Sequence, residues 1–210
     1  MAQNIRTFYA CQAVAIQRLE YVNASTWNPV GSYEFVHGVQ TVGLNTNFDI
    51  ENIFELGQLE IYDSLLKVPS VEITLEKVLD NHPSIYGTLS NNDTLLNAGK
   101  DRANVKFAIY KDTENAGGAG GELLTIECTG MYVSNVSFTF PNDGACKESV
   151  TLTGNHKSLS GGAISIPAEV TGGTDEPSGG YVLTRKDVNA TVPQGGDKLQ
   201  SVTISVDLGR

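Results

Sequence analysis

Three histidines, His37, His82 and His156, are the side chains of this chain best suited to moving protons, and each falls in a different segment. Nucleophilic hydrolysis needs a serine or cysteine at a sharp elbow within reach of such a base. No such elbow or dyad occurs in the sequence. His37, within the run HGVQ, reads as support for a turn. Glu72 and Glu76 lie four residues apart in an alternating stretch, which sets them roughly 13 Å apart along one strand face, far for a glycosidase pair. Cys11, Cys128 and Cys146 are odd in number and have neither CxxC nor histidine spacing, so no zinc site is expected. They read as buried thiols packing as small hydrophobes, or as a disulfide, either Cys128 to Cys146 or between subunits. The run GGAGGE at 117–122 lacks the Gly-Lys-Ser/Thr ending of a phosphate loop. Arg18, Lys100, Arg102, Lys106, Arg185 and Lys186 are dispersed, which gives no footing for nucleic-acid binding. No catalytic residue, metal ligand or cofactor is expected, and the chain reads as a non-enzyme.

The elements that would position these residues are strands. From Thr41, the even positions Val42, Leu44, Phe48 and Ile50 are apolar, while Thr41, Gly43, Asn45, Asn47 and Asp49 are small or polar, predicting one strand over 41–50 with a buried and a wet face. The alternation returns in Val71, Ile73 and Leu75 against Glu72, Thr74 and Glu76. Between them, FELGQLEIY at 54–62 carries a glycine that predicts a bend. Residues 7–16 favour strand over helix, and Trp27 reads as a core plug beside a turn. A short helix is expected over 82–91, with Asp80 or Asn81 as its cap and Pro83 in its first turn. Val105, Phe107 and Ile109 lead through the glycine-rich turn into Leu124, Ile126 and Cys128, a hairpin. Val136, Phe138 and Phe140 turn through PNDG at 141–144 into Val150 and Leu152. The last strand sets Val202, Ile204, Val206 and Leu208 against Ser201, Thr203, Ser205 and Asp207. Its LQSVTISV echoes VQTVGLNT at 39–46, through convergence of amphipathic strands or through duplication. Residues 158–198 carry four Gly-Gly pairs around AISIPAEV and YVLTRKDV, predicting an outward excursion with some strand content.

Length and charge bound the rest. A chain of 210 residues fits one all-β domain, 1–210. The net charge is −10, and residues 49–80 alone hold eight acids against Lys67 and Lys77, a local −6. Such a surface is a poor match for phosphate; the plainest reading is a solvated acidic face. No run approaches the roughly 18 apolar residues of a membrane span. The amino-terminal run has polar Gln12 and Gln17 where a signal peptide would be apolar, so a protein made in the cytoplasm is expected. The sequons at Asn23, Asn92, Asn135 and Asn189 then carry no glycan.

The wording of the stretch from 36 to 92, with its HGVQ strand, FELGQLEIYD and PSVEITLEKVLD, resembles the tail tube proteins of contractile-tailed bacteriophages. The resemblance is weaker over ESVTLTGNHK and the carboxy-terminal LQSVTISVDLGR, and residues 158–196 lie outside it. It implies a mainly β, antiparallel sandwich or barrel with one short helix, its strands contributing to a tube between subunits. It implies a structural virion protein of the tail, assembled in the host cytoplasm as hexameric rings that stack into the inner tube for DNA. Its partners would be copies of itself, the sheath, baseplate and tail-terminator proteins, and, transiently, tape-measure protein and DNA in the lumen. The arm from Asn47 to Leu66 would reach the next ring through Asp49, Ile53, Phe54, Glu55, Leu56 and Leu59, unless it folds back on its own subunit. Thr41, Asn45, Glu72, Thr74, Glu76, Ser201, Thr203 and Ser205 would line the lumen, and 158–196 would face the sheath. Two other readings share the composition: an injection tube of the haemolysin-coregulated type with protein cargo, and a β-sandwich decoration or binding module. The second would call for an aromatic platform, which the scattered tyrosines do not suggest.

Overall fold

A computed structural model describes residues 12–23, 26–57, 59–80, 82–90, 102–111, 121–159, 162, 164, 182–188 and 201–208. The chain opens with β1 (Gln12–Asn23), β2 (Thr26–Pro29), β3 (Glu34–Phe35) and β4 (Val39–Asn47). A separate hairpin follows, β5 (Ile50–Phe54) and β6 (Ile61–Leu66), before β7 (Ser70–Val78) and a helix α1 (Ile85–Ser90). The rest is β8 (Arg102–Tyr110), β9 (Glu122–Pro141), β10 (Lys147–Gly154), β11 (Lys157–Leu159) and β12 (Ser201–Asp207). The fold is mainly β, all its strand pairings are antiparallel among the described residues, and one short helix joins them.

The 20-residue strand β9 organises the molecule. Its first half pairs with β8 and β11, its second half with β10 and β12. Between the halves the register slips twice, once opposite Ala103/Val105 and once opposite Thr151/Leu152. Extra residues in one strand bend it and raise its twist, so β9 passes from one layer into the other. Gly130, at the first slip, takes φ +66°, a left-handed conformation that glycine adopts without a Cβ clash. Its N–H donates to Asn104 Oδ1 at 3.1 Å. One layer is β4-β7-β10-β9-β12; the other carries β1 and β8, with β2 and β3 on β1.

Alternation decides what lies between the layers. Ile73 and Leu75 of β7 and Val150 and Leu152 of β10 share a core with Val14 and Ile16 of β1 and Val105 of β8, all at most 4% exposed. Ile85 and Leu89 of α1, each 1% exposed, close this core. The helix starts at Ile85 rather than 82, because Ser84 Oγ accepts the Gly87 N–H at 2.9 Å and so caps it. Two charged residues are buried at core-facing positions of their strands among the described residues: Lys77, 1% exposed, and Glu148, 0% exposed. The Glu148 carboxylate accepts the N–H groups of Ile85 and Tyr86 at 2.8 and 2.9 Å. Lys77 Nζ lies 2.9 Å from Asp80 Oδ1 and donates to the Pro83 carbonyl at 3.1 Å. Each buried charge therefore has partners, as burial demands.

Several expectations change. The sheet does not close into a barrel among the described residues: β4 and β12 end the layer as edges. The single strand expected over 41–50 splits, because β4 stops at Asn47 and the chain leaves the sheet. Phe48 and Ile50 are accordingly 66% and 54% exposed instead of buried. The strand expected at 7–16 is β1 from Gln12 onward, its earlier residues lying outside the described ones. Trp27 is no core plug; it lies on β2, edge-on to Tyr21 with ring centroids 5.2 Å apart, and the Arg102 guanidinium covers its ring at 4.5 Å.

The described parts of the 158–198 excursion pack on the body. Ile164 is 3% exposed, and the Tyr110 hydroxyl donates to its carbonyl and accepts its N–H, at 2.9 and 2.8 Å. Farther on, Leu183 donates to the Leu79 carbonyl and accepts from Cys146, both at 2.8 Å. Arg185–Asp187 is a 3-10 turn where a strand was expected. The strand expected in AISIPAEV lies, Ile164 apart, outside the described residues.

Candidate assembly surfaces

The outward face of the β4-β7-β10-β9-β12 layer is mostly polar, with Val78 and Pro141 as apolar exceptions. Residues directly opposite in paired strands point to the same side of a sheet, so the register lays out the face in rows. Thr41 faces Glu76, which faces Ser149, then Ser137, then Ser205. The next row runs Gly43, Thr74, Thr151, Asn135 and Asp207. A third holds Asn45, Glu72, Thr153 and Tyr132, and a fourth Val78, Lys147, Thr139 and Thr203. Ser201 follows on β12, opposite Pro141. All eight residues expected to line a lumen, Thr41, Asn45, Glu72, Thr74, Glu76, Ser201, Thr203 and Ser205, thus share one face.

The sequence reading did not single out Lys147, Ser149, Thr151 and Thr153, although the parity of Val150 and Leu152 marks them. Lys147 Nζ lies 2.6 Å from Glu76 Oε1, an exposed pair worth about 0–1 kcal/mol. Thr74 and Thr151 approach through their hydroxyls at 3.5 Å. With Glu72, Glu76 and Asp207 against Lys147, the face keeps an acidic balance.

The second surface is the β5–β6 hairpin. Ile50 faces Leu66 and Ile53 faces Asp63, with a slip before Phe54 and Ile61. Among the described residues these strands pair only with each other, and every described residue from 47 to 68 is exposed. The arm therefore stands away from its own subunit as a ribbon; the sequence had suggested too little alternation for a plain strand. Gly57, at φ +94°, makes the bend at its tip. Leu56 and Leu59 flank that bend at 103% and 100% exposure, and Phe54 is 61% exposed. Glu55 lies beside Phe54, and Ile53 is 37% exposed. Asp49 serves the base: Lys67 Nζ sits 3.3 Å from both Asp49 Oδ2 and Glu51 Oε2, and the Lys67 N–H donates to the Asp49 carbonyl.

Among the described residues, His37, His82, Asp80, Lys77 and Glu148 lie near one another. His37 stacks face to face on His82, centroids 3.9 Å apart, and meets Phe35 edge-on at 4.8 Å. Desolvation, with His82 and Lys77 nearby, pulls its pKa down, against the pull of Asp80. Its neighbour Gly38 is required by the turn: φ is +75°, and a Cβ would meet Asp80 Oδ2 at 2.9 Å. Burial pushes the Glu148 carboxyl up, opposed by the two helix N–H donors and Lys77. Cys128 and Cys146 are buried free thiols, so the disulfide between them is not made. Among the described residues, no group of three or more His, Cys, Asp or Glu could hold a metal ion, and no helix is long and apolar enough to cross a membrane.

No protein-family model matches this sequence, and no curated protein matches it. Solved structures do. The tail tube of SPP1 is similar over 81% of this chain and 88% of its own, at 12% identity and a TM-score of 0.52. The tube-terminating cap of the anti-feeding prophage is similar over 77% and 95%, at 12% identity and a TM-score of 0.49. A component of a gene transfer agent virion covers 76% and 99%, at 10% identity and a TM-score of 0.44. The likeness to the SPP1 tail tube, over most of both chains, makes this chain tail-tube-like in its fold.

Proposed function

We propose that the chain is the subunit of a phage tail tube, forming hexameric rings that stack into a conduit for DNA. The observation that carries this reading is the mostly polar face of five strands, ended on both sides by edge strands, β4 and β12. Exposed edges invite pairing, and a head-to-tail contact that closes makes a ring. Four antiparallel steps separate β4 from β12, so the two edges run in the same direction. The junction between neighbours is then a parallel pairing of β12 with the next copy's β4. Closing the ring turns the hydroxyl-rich, acidic face into a wet lumen wall. The number six, the sheath outside, and the baseplate, terminator and tape-measure partners come from the resemblance to contractile-tail tubes.

A wall without clustered cations suits moving DNA, since every phosphate fixed by a lysine or arginine adds binding free energy that movement must undo. The β5–β6 arm supplies the axial contact between rings. Negative-stain electron microscopy with analytical ultracentrifugation of the purified chain tests the reading. Hollow rings or tubes are expected. A monomer at all concentrations that binds capsid or glycan tightly would replace the tube by a binding module.

A further inference from the structure

The arm and a cavity with a mixed apolar and polar lining sit toward opposite ends of the same strand. The arm leaves β4 at Asn47 and rejoins β7 at Ser70, which pairs with Asn47. The cavity, about 420 Å³, opens at the other end of β4 and is lined by Val39 and Val42 of β4, Val14, Phe35 and Phe107, with Gln12 and Gln40 also bordering it. Val42, the β4 residue of the cavity nearest the arm, lies five residues before Asn47, roughly 17 Å at a strand's rise per residue. A projection at one end and a hollow at the other are the two halves of a heterologous contact, which repeats without closing and so builds a stack.

We infer that the cavity is the socket for the arm of the next copy along the axis, with Leu56 and Leu59 as the side chains that enter it. This rests on the tube reading above and names the receiving site, which that reading leaves open. Both leucines are fully exposed in the free subunit, so they lack apolar contact until a partner supplies it. The cavity volume lies within the roughly 300–1,000 Å³ of clefts that take up apolar groups. The second hollow, about 380 Å³, is a poorer match, because Arg18, Glu34, Ser84 and Thr88 are among its lining.

Disulfide mapping tests this. In tubes of the Leu56→Cys/Gln40→Cys variant, mild oxidation should give a covalent ladder on non-reducing gels, with mass spectrometry locating the bond between the two introduced cysteines of different chains. Neither single variant should give that ladder. Tubes in which the introduced cysteines stay unlinked, or link only when Thr88→Cys replaces Gln40→Cys, would place the arm elsewhere. A bond from the Gln40→Cys position to Cys11 of the same chain would show the cavity filled by its own amino-terminal segment and would overturn the inference. Radical footprinting of the unsubstituted protein gives an independent reading: Phe35 and Phe107 should lose reactivity on tube formation together with Leu56 and Leu59, and unchanged reactivity of the two phenylalanines refutes the socket. If the unsubstituted chain forms no rings or tubes at all, the tube reading itself fails, and the socket with it.

Discussion

Replacing Leu56 and Leu59 together by serine separates the arm's role in assembly from any role in folding. Both side chains are fully exposed in the free subunit, and exposed substitutions usually change stability by no more than about 0.5 kcal/mol. The melting temperature of the monomer should therefore hold. In a stack, burying each leucine contributes about 1.5–3 kcal/mol, or about 3–6 kcal/mol for the two at each contact. Ordering an isolated two-stranded ribbon offsets part of this, so the lower figure is the safer one. At about 1.4 kcal/mol per tenfold, the loss weakens each axial contact at least roughly 100-fold. Sedimentation velocity over a concentration series should find rings persisting while the concentration at which tubes appear rises by two orders of magnitude or more. Electron micrographs should show short stacks or single rings. Tubes forming at the unsubstituted threshold, with the melting temperature equally unchanged, would refute the assignment of these leucines to the axial contact.

Glu148→Ala removes the acceptor of two helix N–H groups and a charge near buried Lys77, and should cost at least about 3 kcal/mol, measured by urea unfolding. The desolvated Glu148 carboxyl is raised above its ordinary 4.5, so the folded chain keeps this proton to higher pH than the unfolded one. Its contribution to stability then falls as pH rises from 4.5 through the folded value, and a Glu148→Gln chain should lack that fall; identical pH profiles would contradict it. His37 is lowered from 6.5, so its contribution is present above 6.5 and is lost as pH falls below it. His37→Gln should flatten that acid loss in a thermal-melt series. Reversing Glu72 and Asp207 to lysine, on the exposed polar face, should leave tube assembly intact by microscopy while slowing genome delivery in an infection assay; unchanged delivery would remove the electrostatic account of the wall.

Much of both surfaces was legible in the residues, because the two-residue period of a strand is a local property. Parity alone put Thr41, Asn45, Glu72, Thr74 and Glu76 on polar sides, and Ser201, Thr203 and Ser205 on another. Glycines marked real bends at Gly57 and Gly144, each with positive φ. Parity does not say what covers an apolar face. Phe48 and Ile50 continue the pattern of Val42 and Leu44, yet stand in solvent because the chain leaves the sheet after Asn47.

What the sequence by itself determined, then, was the period, the turns and the sign of the charge, all set by neighbours a few residues apart. Only the tertiary structure decided that the similar runs in β4 and β12 lie at opposite edges of one layer. It alone decided that β9 bends through two register slips to serve both layers. It likewise turned Lys77 and Glu148, ordinary surface residues by type, into the buried partners of Asp80 and α1. These outcomes depend on pairings between residues far apart in the chain, where competing registers differ by small sums of packing and hydrogen bonding that no local window contains.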